Sequence, residues 1–264
     1  MQALLFLFLP LIVQLAILYF LSQATERMVM RWLGRGWYLA TQWPGVIVHE
    51  LSHLVGCLVT FTRVHEVKLF APSNETLGYV SHSETHNPIK NVVISIAPLF
   101  GVTFIMWLLV KFFMPALYVD IIDPMKAALT NIDSFQHAFS TLGETTKIYL
   151  QYFDTLLENI DFGDWKTYIF LYFMVTLACH AAPSSVDMKH ALGGIIGLMV
   201  LFGIIFFIGN LAGVDILRQI SVWASYPILF LSALLSYGVL FSSVGLIVLL
   251  IPGSMTRLVK KPIV

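Results

Sequence analysis

Charge is scarce in this chain: Asp, Glu, Lys and Arg make up 11% of its 264 residues, less than half the share of roughly 25% usual in a soluble domain. Hydrophobic residues reach 58% and mean hydropathy is +0.83, so the deficit points to a polytopic membrane protein. No sign of charge dominates. Fifteen basic residues balance fifteen acidic ones, which leaves no basic surface for nucleic acid and no polybasic lipid switch. Cysteine is nearly missing. Cys57 and Cys179 fall in apolar stretches, where they read as small buried residues and exclude a disulfide framework. The first apolar run begins at residue 3 with no basic stretch before it and no Ala-x-Ala cleavage site after it. It reads as an anchor rather than a signal peptide. Internal repeats and low-complexity tracts are also lacking.

What the chain does have is long apolar segments. Six of them, about 3–22, 38–61, 91–114, 167–184, 191–212 and 226–251, meet the requirement of about 20 residues for crossing a bilayer. The expected fold is all-α and polytopic, with about six transmembrane helices. Residues 23–37 read as a basic loop, with Arg27, Arg31 and Arg35 spaced by four and Trp32 and Trp37 as interfacial anchors. In 62–90, Val64, Val67, Leu69, Tyr79 and Val80 flank the turn-rich Pro72-Ser73-Asn74-Glu75, which predicts a small membrane-associated β-hairpin ended by Asn87-Pro88. Residues 115–165 carry eight acidic residues against Lys126 and Lys147. Their apolar residues (Phe135, Phe139, Leu142, then Tyr149, Phe153, Leu156, Leu157) recur at helical spacing and predict amphipathic helices on the membrane surface or over the bundle, as a cap or a substrate gate. Lys and Arg divide seven against eight between the two faces of this topology, so loop charge does not set the orientation.

Chemistry concentrates at His49-Glu50-Leu51-Ser52-His53. Positions i and i+4 share a helix face, so His49 and His53 can grip one metal ion. Glu50, turned by about 100° from His49, can reach a water on that metal as a general base. Ionisable side chains in a span cost several kcal/mol unless paired or metal-bound, so Glu50 is read as functional against the plainer reading of a buried Glu–His pair tying two helices. Pro44 either opens this helix to water or merely kinks it. A catalytic zinc has three protein ligands and an open position. The candidates for the third are Asp187 and His180, in the stretch from Cys179 to Asp187 where Pro183 and two serines break the fourth span. The other histidines carry less: His82 and His86 lie in a polar loop, and His65, His137 and His190 read as interfacial. Asn74-Glu75-Thr76 is a glycosylation sequon with meaning only in a secretory lumen.

These residues together resemble the site-2 protease family of intramembrane zinc metalloproteases. The likeness is carried by His49–His53 in a span, the strand-like loop, and Ala97-Pro98-Leu99 opening the next span. In that family a later span has Asn-x-x-Pro followed by Asp-Gly, whose aspartate is the third zinc ligand. Here His180-Ala-Ala-Pro183 stands for the first part and Asp187 for the second. The chain departs from the pattern in four places. His180 replaces the Asn, Met188 replaces the Gly, the family's Ala-Gly-Pro lacks its Gly here because Ile96-Ala97-Pro98 stands in its place, and Asp187 falls one residue early relative to the proline. The likeness covers roughly 38–190 as a protease-like core, between a first span and loop (1–37) and two C-terminal spans (191–264).

The resemblance implies Zn2+ on His49, His53 and Asp187, Glu50 as general base, and His180 donating a hydrogen bond to the oxyanion in the place of the Asn. It implies a membrane-embedded protein substrate, unwound and held along the hairpin edge, and a multi-pass protein of the cell membrane bilayer with both termini and 62–90 cytosolic and 115–165 external. Recruitment would rest on 115–165, on the extra spans, or on a separate adaptor or sensor protein. Two rival readings stand beside this one. A divalent-metal transporter needs ligands on several spans, and spans one, three, five and six offer little beyond Gln14, Asn210 and Ser242-Ser243. A catalytically silent relative, serving as a membrane assembly subunit, would explain the altered second motif.

Overall fold

Gly34, at φ 83°, makes the first sharp turn of the chain, a backbone conformation that glycine adopts without steric cost. It divides two long helices, α1 (Gln2–Trp32) and α2 (Gly34–Val59). The computed structural model describes residues 2–73, 76–83, 87–115, 147, 150–184, 186–191, 204, 231–232 and 234–250. The basic loop expected at 23–37 is therefore helical nearly throughout. Residues 23–32 contain no Gly or Pro and are rich in Gln, Ala, Glu, Arg and Met, so nothing halts the helix before Leu33. Arg27, Arg31, Arg35 and Trp37 are exposed around the turn.

The hairpin forms as expected. β1 (Val64–Lys68) pairs antiparallel with β2 (Tyr79–His82), with Val67 opposite Val80 and a register shift at His65. The Tyr79 hydroxyl donates to Glu66 at 2.7 Å and Lys68 pairs with the same carboxylate at 3.0 Å. These two contacts hold the Glu66 carboxyl below its ordinary range. Arg35 donates to the Ser73 carbonyl at 2.5 Å, so the hairpin folds back along α2 rather than projecting beyond its C-terminal end. Asn87 then caps α3 (Pro88–Phe113), accepting from the amides of Ile89 and Lys90, with Pro88 pre-set in the first turn. Pro98 lies three turns inside α3 rather than at its opening.

The next described helical stretch, 150–159, is what the structure describes of the amphipathic segment. It turns Tyr152 and Leu156 into the core; Phe135, His137, Phe139, Leu142 and Tyr149 lie outside the described residues. α4 (Trp165–Ala181) starts at the Asp164 cap and stops where Ala182 becomes extended, as a residue before proline must. α5 (Leu234–Leu250) packs Leu235 and Phe241 against Leu18 of α1, Met106 of α3 and Phe170 of α4. The fifth expected span falls almost wholly outside the described residues. Among them, α3 is the one helix long and apolar enough to cross a membrane, and the molecule is mostly helical with one two-stranded antiparallel sheet.

α2 sits between α3 and α4, and small residues set the spacing. A Cβ on Gly56 would stand 3.0 Å from the Cβ of Ala97 and 3.2 Å from the Cα of Ile94 on α3. A Cβ on Gly101 of α3 would collide with Ser52 of α2, and one on Gly45 with Thr176 and His180 of α4. Glycine at each of these crossings lets the two helix backbones approach closely. Gly101→Val is accordingly expected to cost about 1–3 kcal/mol by overpacking. It would lower the unfolding midpoint in detergent, and Ser52→Ala should restore part of the loss. An unchanged midpoint would show that this crossing is slack.

Candidate metal centre

His49 and His53 are one turn apart on α2, and both imidazoles face Asp187 from the helical stretch 186–191. The Nε2 atom of His49 is 3.5 Å from Asp187 Oδ2, and that of His53 is 3.2 Å from Oδ1. A single ligand atom from each of the three residues lies within 4.8 Å of the others, a group able to hold a metal ion. Four bonds of 2.0–2.1 Å at tetrahedral angles put ligand atoms about 3.3–3.4 Å apart, and the two separations fall just either side of that range.

The tautomers strengthen the case. His49 Nδ1 is 2.8 Å from the carbonyl oxygen of His180, and His53 Nδ1 is 2.9 Å from that of Ile94. A carbonyl only accepts, so both Nδ1 atoms carry the proton. In the neutral rings Nε2 then offers a lone pair to a carboxylate that also offers only lone pairs. Neutral rings set three acceptors face to face; a metal cation between them relieves this, as does a proton on a histidine Nε2 that makes it a donor to Asp187. Outer hydrogen bonds on Nδ1 are the usual companions of histidine ligation. Asp187 is further fixed by the Ser184 amide, which donates to Oδ2 at 2.9 Å, while the Ser184 hydroxyl accepts from the Asp187 amide at 3.1 Å. The break after α4 provides this turn. Pro183 and Ser184 have left the helix, which frees Ser184 to cap the short helix that carries Asp187.

Glu50 lies on the wall of a cavity of about 230 Å³ that also touches His49 and His180. Among the described residues its carboxylate makes no hydrogen bond or ion pair. The hairpin covers it: a Cβ on Gly78 would come within 2.9 Å of Glu50 Cγ and 2.7 Å of the Leu69 carbonyl oxygen. Only glycine lets the strand entrance pass this close to the acid.

His180 is placed differently from the metal-binding residues. Its Nδ1 is 3.0 Å from the Thr176 carbonyl of its own helix, so in the neutral ring Nε2 is an acceptor. Donation to an oxyanion therefore requires the imidazolium form. It is the backbone carbonyl of His180, not its ring, that orients His49. Sequence reasoning missed Ile94 and Gly78, which act through backbone alone; Ser184 was singled out with Pro183 and Ser185 as the break in the fourth span, without its contact to Asp187. Of the other histidines, His65 Nε2 meets the Ser83 hydroxyl at 3.0 Å and His190 is exposed, both away from the centre. Asn74, Glu75 and His86 lie outside the described residues. Comparison with known protein families, with curated proteins and with solved structures found no match.

Proposed function

We propose that this chain is an intramembrane zinc metalloprotease, hydrolysing peptide bonds of membrane-embedded protein substrates. The observation that carries the reading is the convergence of His49 and His53, each with Nδ1 committed to a backbone carbonyl, on the carboxylate of Asp187. The carboxylate of Glu50, without a hydrogen bond or ion pair among the described residues, stands next to it on a cavity wall. In this reading α1 to α4, the apolar segment 191–212 and the segment that includes α5 are the six spans of a multi-pass protein of the cell membrane. Its likeness to the site-2 protease family, set by the same five residues of α2 and by Asp187, supports that arrangement.

A bound zinc ion supplies Lewis acidity toward a carbonyl oxygen and toward water. His49, His53 and Asp187 would hold it, the three protein ligands usual for a catalytic zinc, and His49 and Glu50 both border the cavity. Glu50 takes the proton of the attacking water on a carboxylate oxygen and returns it to the leaving amine. The hairpin excludes bulk water above Glu50 through Gly78. Its free strand edges offer backbone donors and acceptors to a substrate segment that has left its own helix.

The test is cleavage of a membrane-spanning helical peptide by purified protein in proteoliposomes, read by mass spectrometry. Cleavage stopped by a zinc chelator and restored by added zinc is the expected result. Zinc uptake into the vesicles without cleavage would replace the reading with a transporter. Zinc binding with neither cleavage nor uptake across a panel of peptides would leave the assembly subunit.

A further inference from the structure

The cavity that His49 and Glu50 border extends along α2, and its far wall has a composition of its own. Tyr38 and Gln42 are one turn apart on α2, and Gln42 lies two turns, about 10 Å, before His49 on the same face. Glu26 reaches in from α1 and accepts the Tyr38 hydroxyl at 2.8 Å. All three line the cavity, together with the metal ligand His49 and with Glu50. Gln42 is 5% exposed, and its Oε1 is buried without a hydrogen-bond partner among the described residues. A buried amide oxygen left unpaired costs about 1–3 kcal/mol. The terminal amide torsion is broad, so a modest rotation turns this oxygen toward an occupant of the cavity. The lining holds two carboxylates, Glu26 and Glu50, and no lysine or arginine.

Resting on the protease reading above, we infer that Glu26, Tyr38 and Gln42 form a specificity pocket for a cationic side chain of the substrate, lysine or arginine, within about three residues of the scissile bond. The distance sets that count: about 10 Å is three extended residues at 3.3–3.6 Å each, or fewer when a long side chain makes up the difference. The cation gains the Gln42 oxygen and the Glu26 carboxylate, both acceptors. Tyr38 holds the carboxylate toward α2 by its hydrogen bond. The position along the helix agrees, because Arg35 and Trp37 mark this end of α2 as an interfacial boundary. There a spanning substrate carries its own flanking lysines and arginines. An internal stitch between α1 and α2 would need only the Tyr38–Glu26 bond, and leaves the Gln42 oxygen without purpose.

The experiment is calorimetric titration of zinc-loaded, full-length protein in detergent with short peptide hydroxamates. They are paired so that lysine replaces norleucine at the first, second or third residue from the hydroxamate. Zinc content and helical content of each variant are checked first. At one position the lysine compound should bind about tenfold tighter than its norleucine twin, the scale of one charge-assisted hydrogen bond in a buried site. Gln42→Leu and Glu26→Gln should each bring the pair to within about threefold, while Gln42→Glu, which keeps an acceptor, should preserve the preference. Equal binding of the twins at all three positions, or a preference unmoved by both Gln42→Leu and Glu26→Gln, overturns the pocket and leaves the protease reading standing. Failure of every hydroxamate to bind protein that holds its zinc overturns the protease reading itself, and the pocket with it.

Discussion

One zinc ion per chain is the expected content of the purified protein, with His49→Ala and Asp187→Ala each losing it and His180→Ala keeping it. The first two substitutions each remove one of the three residues whose ligand atoms lie within 4.8 Å of one another. Loss of an outer-shell partner typically costs 10–100-fold in metal affinity, and loss of a ligand should exceed about 100-fold, enough to strip the ion during gel filtration. The His180 substitution tests a finer point. His49 is oriented by the carbonyl oxygen of residue 180 at 2.8 Å, and alanine retains that oxygen. The ring bonds to Thr176 within its own helix, so its removal opens space beside Gly45 without touching the ligand atoms. Elemental analysis of folded, gel-filtered protein reads all three. Zinc lost in His180→Ala and kept in Asp187→Ala would exchange the third ligand. A folded wild type that takes up no zinc on reloading would end the metal reading.

The contrast between the ring and the carbonyl of residue 180 shows where sequence stops being informative. The i, i+4 histidines follow from helix periodicity alone, and Glu50 beside them from the same geometry. Asp187 lies 134 positions from His53; the helix break at Pro183 brings it forward beside His180, and only the likeness to a known motif sets it ahead of that histidine. Ile94 could not be singled out by any residue-level pattern, because it contributes a carbonyl that every residue possesses. The same holds for Gly78, whose contribution is the absence of a side chain against Glu50. The hairpin itself was legible from its alternation and turn residues. Its course back along α2 was not, since that rests on contacts between residues far apart in sequence, Arg35 with the Ser73 carbonyl and Gly78 against Glu50. At 23–32 the reading as loop failed for a physical reason. Arginines and tryptophans were taken to mark an interface, whereas helix propensity carried α1 straight through to Leu33 and Gly34.

Glu50→Gln is expected to retain zinc and lose cleavage by about a thousandfold, within the 10²–10⁴ range of a general base. The substitution is isosteric, so the contact with Gly78, where a Cβ would already stand 2.9 Å from Glu50 Cγ, is undisturbed. What changes is basicity: an amide cannot take a proton from water or pass one to the leaving amine. Glu50→Asp keeps the base and draws it back by one methylene. A displacement near 1 Å can cost about 10²-fold in rate, so the aspartate variant should sit between glutamine and wild type in kcat/KM. That ordering separates chemistry from architecture. If Glu50 served only to fill the space under Gly78, glutamine would be the best replacement and the shorter aspartate the worst. Full cleavage by Glu50→Gln would therefore remove the general base from the proposal while leaving the metal site intact. Loss of zinc in Glu50→Gln would instead mean that the carboxylate supports the ligands through its charge, a structural dependence that the Asp variant would relieve.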